Sequence, residues 1–367
     1  MKIVITHEFP FEKKYYGGGN QIVEGLSRAL FEQGNEIHVF TTGKGELISD
    51  KLNLSISFHY LFPYVKNFSG IILGLFSILK IIKLKPDLII CFTSECAFLS
   101  VFGRLFSYKV YAYQAAPEYP DFSKMKILSK KKKIGLYLQY IGAKYSTRVL
   151  SISKYSSRLM IKNWNLNPSK IKTVGVGLNN IYLNEYVSLK EKRQDTFKLI
   201  SIGRIVFDQK PFDILPDIIK DIIDKVDTWT VIGDGPDLSE LKNRVKKLNL
   251  DKKVIFKGTL NSVDLKNELL NSDIALLPSN YESFFLTVYE SAAMSTVVIT
   301  NDVADIREYF ENIGSILISP IGPKNDFKEK LNYAIQNFDE LQKIANNKSK
   351  QIQKDFDWIN ISRNFIN

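Results

Sequence analysis

Cysteine and histidine are scarce in this sequence: of its 367 residues, two are cysteine and three are histidine. Cys91 and Cys96 cannot build a disulfide framework, and they lack the partners that a zinc site needs. Disulfide-stabilised secreted scaffolds and zinc modules are therefore excluded. A reducing compartment, the cytoplasm, fits this cysteine content best.

Long hydrophobic runs are also missing. The main apolar stretch, residues 71–84, is interrupted by Lys80 and Lys83 and falls short of the roughly 20 apolar residues that a membrane span requires. We expect a buried or interfacial helix there. The N-terminus lacks a secretory pattern, because its short apolar run is followed by Glu8 and Pro10.

Negative charge is scarce in the first half only. Residues 1–185 contain 25 Lys and Arg against 12 Asp and Glu, a net charge of +13, whereas residues 186–367 contain 25 against 27, a net charge of −2. This asymmetry predicts a polyanionic partner for the first half. No nucleic-acid-binding module is recognisable, so we expect an anionic membrane surface and no nucleic acid.

A lysine cluster marks the candidate membrane contact. Residues 123–133 hold six lysines, and residues 134–141 follow with four aliphatic side chains and two tyrosines. A basic segment beside an aromatic–aliphatic helix is typical of peripheral attachment to an anionic leaflet. A solvated lysine loop before a core helix explains the same pattern, and both interpretations stay open.

The most informative stretch is residues 272–300. The apolar run Ile274–Leu277 predicts a buried strand, residues 285–294 predict a helix, and residues 297–300 predict the next strand. This order is half of a nucleotide-binding α/β unit. The backbone N–H groups of residues 283–287, at the start of the helix, are expected to hold a phosphate.

Two carboxylates bracket that loop, Glu282 within it and Glu290 one to two turns inside the helix. A carboxylate beside a phosphate is electrostatically costly unless it binds hydroxyl groups. The pair therefore suggests a ligand that is both sugar-rich and phosphorylated. An ordinary βαβ element with surface acids has the same spacing, and spacing alone does not separate the two.

Glycines and cations mark two further loops. Residues 2–6 predict a buried strand, and Gly18 and Gly19 precede an amphipathic helix, where glycine permits close approach to a phosphate or simply a tight turn. A strand that begins the second half ends in Gly203 and Arg204, and Lys210 follows six residues later. Fixed cations there would stabilise a leaving diphosphate, although a surface Arg and Lys is the alternative.

The Glu282–Glu290 spacing resembles the Glu-x7-Glu motif of the family-4 retaining glycosyltransferases of the GT-B fold, and Gly203 to Lys210 resembles that family's Gly-Arg-x5-Lys signature. The resemblance implies an α/β fold with two doubly wound Rossmann-like domains facing an interdomain cleft. We expect an acceptor-side domain over residues 1–185 and a nucleotide-sugar donor domain over residues 196–354. A closing helix at residues 355–367 is expected to pack back on the first domain.

The resemblance also implies roles. Arg204 and Lys210 would neutralise the donor diphosphate, Glu282 would bind sugar hydroxyls, and Glu290 would bind the ribose; Glu282, Arg204 and Lys210 are the expected catalytic residues. The other expected donor contacts are Gly18, Gly19, Gly203, Gly233, Leu260, Ser283, Phe284, Phe285, Leu286 and Thr287.

The acceptor side departs from the family. Relatives commonly have a histidine where this sequence has Gln114, an amide that binds hydroxyls but does not titrate near neutrality. His7, after the first strand, and Glu118 are the other expected residues on this side. Further departures, at positions where the family has small residues, glycine or proline, are Phe285, Ser291, Ser295 and Val297.

The expected function is transfer of a hexose from a UDP- or GDP-sugar to a hydroxyl acceptor, such as a lipid-linked or surface-glycan intermediate. No D-x-D run occurs in the expected cleft loops, so we expect metal independence and no cofactor. The expected location is the cytoplasm. Peripheral attachment to the inner face of the cell membrane is compatible with this expectation. Two alternatives remain: a catalytically weak GT-B partner or binding subunit, because of Gln114, Phe285 and Ser295, and a nucleotide-sugar epimerase of similar build.

Overall fold

The chain forms two compact units in the computed structural model: unit 1 is Met1–Gly177 with Trp358–Asn367, and unit 2 is Leu178–Asp357. Unit 2 begins at Leu178, whose N–H donates to the carbonyl of Phe356 in the same unit (2.8 Å). The residues that the structure describes are 1–11, 18–43, 56–65, 68–92, 95–115, 130–183, 196–311, 313–322 and 324–366. Residues 186–195, between the two expected domains, and most of the lysine cluster at residues 123–133 lie outside them.

Unit 1 is built on a parallel sheet. Among the described residues, seven strands pair in the order β3-β2-β1-β4-β5-β6-β7. They are β1 (Lys2–His7), β2 (Glu36–Thr41), β3 (Ser57–Tyr60), β4 (Leu88–Cys91), β5 (Val110–Gln114), β6 (Arg148–Ser151) and β7 (Ile171–Thr173). The continuous apolar runs of β1 and β4 are buried, as a parallel sheet covered on both faces requires.

Helices cover both faces of this sheet. They are α1 (Gly18–Glu32), α2 (Ser69–Leu84), α3 (Cys96–Phe106), α4 (Lys130–Tyr145), α5 (Lys154–Trp164) and, from the C-terminus, a helix at Trp358–Ile366. Right-handed crossovers lead from β1 and from β4 in opposite directions, so α1 and α3 lie on opposite faces. The C-terminal helix packs on α1, where a Cβ atom on Gly25 would lie 2.1 Å from Nε1 of Trp358.

Unit 2 repeats the design. Among the described residues, six strands pair in parallel in the order β10-β9-β8-β11-β12-β13. They are β8 (Phe197–Ile202), β9 (Val226–Ile232), β10 (Val254–Gly258), β11 (Ile274–Leu277), β12 (Val297–Asn301) and β13 (Ile316–Ser319). The helices of unit 2 are α6 (Leu215–Lys220), α7 (Leu238–Lys247), α8 (Ser262–Leu270), α9 (Leu286–Ala293), α10 (Ile306–Phe310), α11 (Lys324–Gln336) and α12 (Phe338–Asp355); the C-terminal helix of unit 1 is therefore α13.

Each sheet reverses its winding at one point, between β1 and β4 in unit 1 and between β8 and β11 in unit 2. Ligands of doubly wound sheets bind at the carboxyl ends of the strands at such switch points. The loops after β1, β4, β8 and β11 are therefore where functional residues should lie. The predicted doubly wound α/β architecture is confirmed.

The helix expected at residues 71–84 is α2, and it is buried on one side only. Leu73, Gly74 and Ile81 are buried, whereas Leu75 and Leu79 are exposed. None of the described helices is both long enough and apolar enough to cross a bilayer.

Candidate functional site

Glycines bring the turns after β8, β9 and β10 together. Gly203 and Gly233 have φ angles of +151° and +136°, which side-chain-bearing residues rarely adopt. A Cβ atom on Gly233 would lie 1.9 Å from the carbonyl oxygen of Gly203, so this approach requires glycine. The N–H of Gly233 donates to the carbonyl of Gly258 (2.8 Å), and Leu260 follows two residues later.

The loops after β8 and β11 are hydrogen-bonded to each other. The backbone N–H of Asn280 donates to the carbonyl of Gln209 (2.8 Å), and the hydroxyl of Ser279 lies 3.3 Å from the same oxygen. The Ser279 hydroxyl is also 3.3 Å from Oε1 of Glu282. These contacts hold Glu282 beside Lys210, which is 72 residues earlier in the chain.

Lys210, Glu282 and Phe285 form a buried cluster. The Nζ atom of Lys210 lies 2.5 Å from Oε1 of Glu282 and 3.9 Å from the ring centroid of Phe285. Only 10% of the Lys210 side chain and 13% of the Glu282 side chain are exposed. Burial lowers the pKa of Lys210, and the Glu282 carboxylate opposes that shift. Ion pairing and the face of the aromatic ring together stabilise the ammonium inside the loop.

Arg204 is an exposed cation that forms no ion pair with any described carboxylate. The backbone N–H groups of residues 283–287, at the start of α9, donate no hydrogen bond to any described residue. Free N–H groups at a helix start and a cation without a counterion are both ready to bind an anion. Both lie at the switch point of unit 2.

Glu290 lies in α9 away from any described cation. It is 8% exposed, and burial raises its pKa to about 7. Tyr182 lies close by: its pKa is raised by burial and, to a smaller extent, by Glu290, and its hydroxyl has no hydrogen-bond partner among the described residues. A carboxylate in such surroundings gains strongly from a hydroxyl donor.

In unit 1, His7 and Gly19 lie against each other. A Cβ atom on Gly19 would be 2.9 Å from Cε1 of His7. Burial lowers the pKa of His7 to about 4, against a smaller opposing effect of Asn20, so the imidazole is neutral near pH 7. Gly18, next to Gly19, faces open space.

Gln114 is buried at the carboxyl end of β5, and β4 separates that strand from β1. Glu118 lies outside the described residues. The sequence analysis missed Glu95, which is fully buried and accepts hydrogen bonds from the Thr6 hydroxyl (3.1 Å) and the Phe92 N–H (3.2 Å). Its position just beyond a predicted strand is the signal that would have identified it.

The sequence analysis also missed Ser279 and Tyr182. Ser279 follows the strand-ending Pro278, where a polar residue at the carboxyl end of a strand is a usable signal. Tyr182 carries no such signal, because its proximity to Glu290 depends on the tertiary fold. Among the described residues, no group of three or more His, Cys, Asp or Glu is placed to hold a metal ion.

Two family models match the chain. The model described as Glycosyltransferase Family 4 matches residues 16–179, and the model described as Glycosyl transferases group 1 matches residues 186–351. The first falls almost wholly in unit 1 and the second in unit 2.

Sequence relatives cover less of the chain. An uncharacterised glycosyltransferase of Methanocaldococcus jannaschii is 23% identical over 241 residues, which are 63% of this chain and 61% of that protein. The UDP-Gal:alpha-D-GlcNAc-diphosphoundecaprenol alpha-1,3-galactosyltransferase of Escherichia coli is 25% identical over 192 residues, 48% of each protein. The chain thus spans less than two thirds of the length of these curated relatives.

A solved structure of similar fold is the Anabaena protein HepE in complex with UDP. It superposes with a TM-score of 0.76 at 16% identity, covering 100% of this chain and 98% of that one. The likeness concerns the fold, two Rossmann-like units of the GT-B type. With both family models matched and this fold in place, the chain belongs to the family-4 glycosyltransferases of the GT-B fold.

Proposed function

We propose that this chain is a retaining glycosyltransferase that moves a hexose from a UDP- or GDP-linked sugar to a hydroxyl acceptor. The observation that carries the proposal is the switch point of unit 2. There Arg204, the free N–H groups of residues 283–287 and the Lys210–Glu282 pair lie on two loops that are hydrogen-bonded to each other. We infer that the anomeric configuration of the sugar is retained, because the family that the chain resembles is a retaining one.

The donor is assigned from the charges. Cations and free N–H groups suit a diphosphate, and the buried acids Glu282 and Glu290 suit hydroxyl groups. HepE, which shares the fold, has been solved with UDP and with UDP-glucose. This likeness supports a nucleoside diphosphate sugar as the donor of the present chain.

Each residue then has one task during transfer. The bond from the anomeric carbon to the diphosphate oxygen breaks with its electron pair on that oxygen, while the acceptor oxygen bonds to the anomeric carbon on the same face. The acceptor hydroxyl gives its proton to the departing diphosphate, so that the products are the glycosylated acceptor and the protonated nucleoside diphosphate. The charge that develops on the diphosphate is stabilised by Arg204, Lys210 and the N–H groups of residues 283–287. When the diphosphate takes Lys210, Glu282 is freed to accept hydrogen bonds from the sugar, and Glu290 accepts them from the ribose.

Gly18 and Gly19 would allow the diphosphate to approach the backbone closely. His7 and Gln114 would contact the sugar or the acceptor. The two cations supply the positive charge that the leaving group requires. We therefore expect transfer without a metal cofactor, and undiminished transfer in the presence of a chelator would support this.

The acceptor we propose is a lipid-linked or surface-glycan intermediate, and the protein would act as a cytoplasmic, peripheral protein on the inner face of the cell membrane. The E. coli relative is named for an acceptor attached to diphosphoundecaprenol. The net charge of +13 in residues 1–185 supports an encounter with an anionic leaflet.

The test is an assay of the purified chain with UDP-glucose, UDP-galactose and GDP-mannose, each with and without a polyprenyl-diphosphate-linked sugar. We expect a glycosylated lipid with the donor's anomeric configuration, identified by mass spectrometry and NMR. Conversion of the donor without acceptor would indicate an epimerase instead. Absence of both transfer and donor hydrolysis would indicate a binding or partner subunit.

A further inference from the structure

The outer sides of α2, α3 and α4 expose large apolar side chains. The exposed fractions are 66% for Leu79 in α2, 72% for Leu105 in α3 and 59% for Ile134 in α4. Soluble surfaces rarely gather such side chains into one contiguous patch. We call this surface the α2–α4 face and define it by Leu75, Phe76, Leu79, Leu105 and Phe106, with the C-terminal end of α4, at Lys144 and Tyr145, on its border.

The three helices form one continuous surface because they pack closely side by side. A Cβ atom on Gly74 of α2 would lie 3.1 Å from Cβ of Phe98 in α3, and one on Gly142 of α4 would lie 2.6 Å from Cβ of Cys96 in α3. In α2 the exposed residues 75, 79 and 82 follow helical spacing, so they share one side. The sheet and the core lie on the opposite side.

The helices of the α2–α4 face carry cations. The sequences of α2, α3 and α4 contain no Asp or Glu. At one end of the face, Arg104 lies 5.9 Å from the ring centroid of Tyr145, and the Nζ atom of Lys144 lies 5.7 Å from the same centroid. Lys170 joins them by donating to the carbonyl of Lys144 (2.6 Å). None of these cations pairs with a described carboxylate.

We propose that the α2–α4 face docks on an anionic lipid bilayer, with its apolar side chains inserted at the headgroup boundary and Arg104, Lys144 and Lys170 on lipid phosphates. Apolar side chains flanked by cations and tyrosines are the chemistry that interfacial helices use. Docking on a bilayer would bring the chain to the proposed lipid-linked acceptor, and only this biological purpose rests on the proposed function.

Other occupants fit the α2–α4 face less well. A second copy of this chain docked through the same face would bring like cations together without acids to pair with them. A nucleic acid would neutralise the cations but leave Leu105 and Phe106 without an apolar partner. A bilayer satisfies both kinds of side chain.

The first experiment is vesicle co-sedimentation of the full chain, without donor or acceptor. Binding to phosphatidylglycerol–phosphatidylcholine vesicles should exceed binding to phosphatidylcholine alone and fall with salt. Leu105→Ser/Phe106→Ser should weaken binding by roughly tenfold or more. Arg104→Gln/Lys144→Gln should reduce the preference for anionic lipid. The matched control is Ile255→Ser/Val263→Ser, which replaces exposed apolar residues of unit 2. This variant should bind vesicles as the parent chain does.

The second experiment locates the inserted residues. Both native cysteines are buried. In the variants Leu105→Cys and Val263→Cys, a thiol-reactive, polarity-sensitive fluorophore should therefore label the introduced cysteine selectively. Vesicles should shift the emission of the Leu105→Cys probe to the blue and leave the Val263→Cys probe unchanged. Equal emission shifts at both positions, or unchanged vesicle binding by Leu105→Ser/Phe106→Ser, would overturn the proposal. A dimer of the parent chain in light scattering that is lost in Leu105→Ser/Phe106→Ser would also overturn it. A chain that binds vesicles as described but transfers no sugar would refute the proposed function alone.

Discussion

The two units share one strand order and differ in what they place at the switch point. Unit 1 places a neutral, buried imidazole there, that of His7, next to the glycine that opens α1. Unit 2 places charged groups there, with Lys210 paired to Glu282 and Arg204 left without a described partner. Of the two switch points, that of unit 2 therefore holds the described cations, whereas unit 1 places a neutral imidazole, backbone groups and the buried Glu95 at its own switch point.

The outer helices differ as well. Helices of unit 2 mix acids and bases. Ion pairs join Glu268 of α8 to Lys257 of β10 (2.5 Å) and Lys328 of α11 to Asp221 at the end of α6 (2.6 Å). In unit 1, the sequences of α2, α3 and α4 contain cations and no acids, and these helices expose large apolar side chains. A surface of the first kind is adapted to water, and a surface of the second kind is adapted to an anionic, partly apolar phase.

Removing the cation of Arg204 tests whether the charged groups of unit 2 stabilise the leaving group, and it should change the transfer rate more than any other single substitution proposed below. We expect Arg204→Gln to lower the rate of glycosyl transfer by roughly 10²- to 10³-fold, since it removes one stabilising group from the developing charge. Thermal stability should hardly change, because Arg204 is exposed and forms no ion pair with a described residue. The matched control is Arg244→Gln, which removes an exposed ion pair with Asp217 and should leave the rate unchanged.

Breaking the buried pair tests the same contrast through stability. We expect Lys210→Met to lower the free energy of unfolding by about 3 kcal/mol, since Glu282 is left as a largely buried carboxylate without a cation. Lys257→Met, in the more exposed pair with Glu268, should cost less than about 1 kcal/mol. Denaturant unfolding measures both variants. The double variant Lys210→Met/Glu282→Gln should recover much of the loss without recovering transfer, and an equal cost for Lys210→Met and Lys257→Met would contradict the account.

Glu290 should make unit 2 less stable at high pH. Burial raises the pKa of Glu290 from its usual 4.5 to about 7, so the folded state holds a proton that the unfolded state has lost. Stability therefore falls as pH rises from 4.5 to 7, by about 3 kcal/mol in total. We expect Glu290→Gln to be more stable than the parent chain at pH 8, similar at pH 4.5, and weaker in nucleotide binding. Urea unfolding at both pH values measures this, and a pH-independent difference would count against it.

His7 should give unit 1 the opposite dependence. Burial lowers the pKa of His7 from its usual 6.5 to about 4, so the unfolded state binds a proton that the folded state does not. Stability is then lost as pH falls from 6.5 to 4, by about 3 kcal/mol in total. Unfolding of His7→Gln should show a correspondingly smaller loss over that range. Carboxylates that titrate in the same range are common to both proteins, so identical pH profiles would refute the assignment.

The smallest expected effect concerns backbone strain. Ser295 has a φ of +56°, in the left-handed region that favours glycine, which is the residue that the family has there. We expect Ser295→Gly to raise the free energy of unfolding by up to about 1 kcal/mol. Ser107, at φ +60° in unit 1, is the matched position, and Ser107→Gly should behave alike. Destabilisation by both substitutions, measured by thermal unfolding, would contradict this reading.

Much of the fold was predictable because the strands are short apolar runs. The strand at Ile274–Leu277 was predicted without error, and the helix expected at residues 285–294 is Leu286–Ala293. Periodicity identified these elements because their side chains are buried on the sheet. The glycines and Arg204 were predictable from their place at the ends of strands.

The contacts within the site were not predictable, since they join residues that are distant in sequence. The pairing of Lys210 with Glu282 across 72 residues, and the position of Phe285 beneath the Lys210 ammonium, depend on how the loops after β8 and β11 meet. Hydropathy predicted a buried or interfacial helix for residues 71–84 and did not tell which side of α2 is exposed. Its apolar residues surround the helix, so the sequence does not tell that Leu75 and Leu79 are exposed.

The most direct test of the account is a calorimetric titration that separates the diphosphate from the nucleoside. Uridine and UDP, and guanosine and GDP, are titrated into the parent chain, Arg204→Gln and Arg244→Gln. The account predicts that one diphosphate binds at least roughly tenfold more tightly than its nucleoside, and that Arg204→Gln removes most of this difference while Arg244→Gln preserves it. A diphosphate that binds the parent chain and Arg204→Gln equally would contradict the assignment of the diphosphate site to the switch point of unit 2.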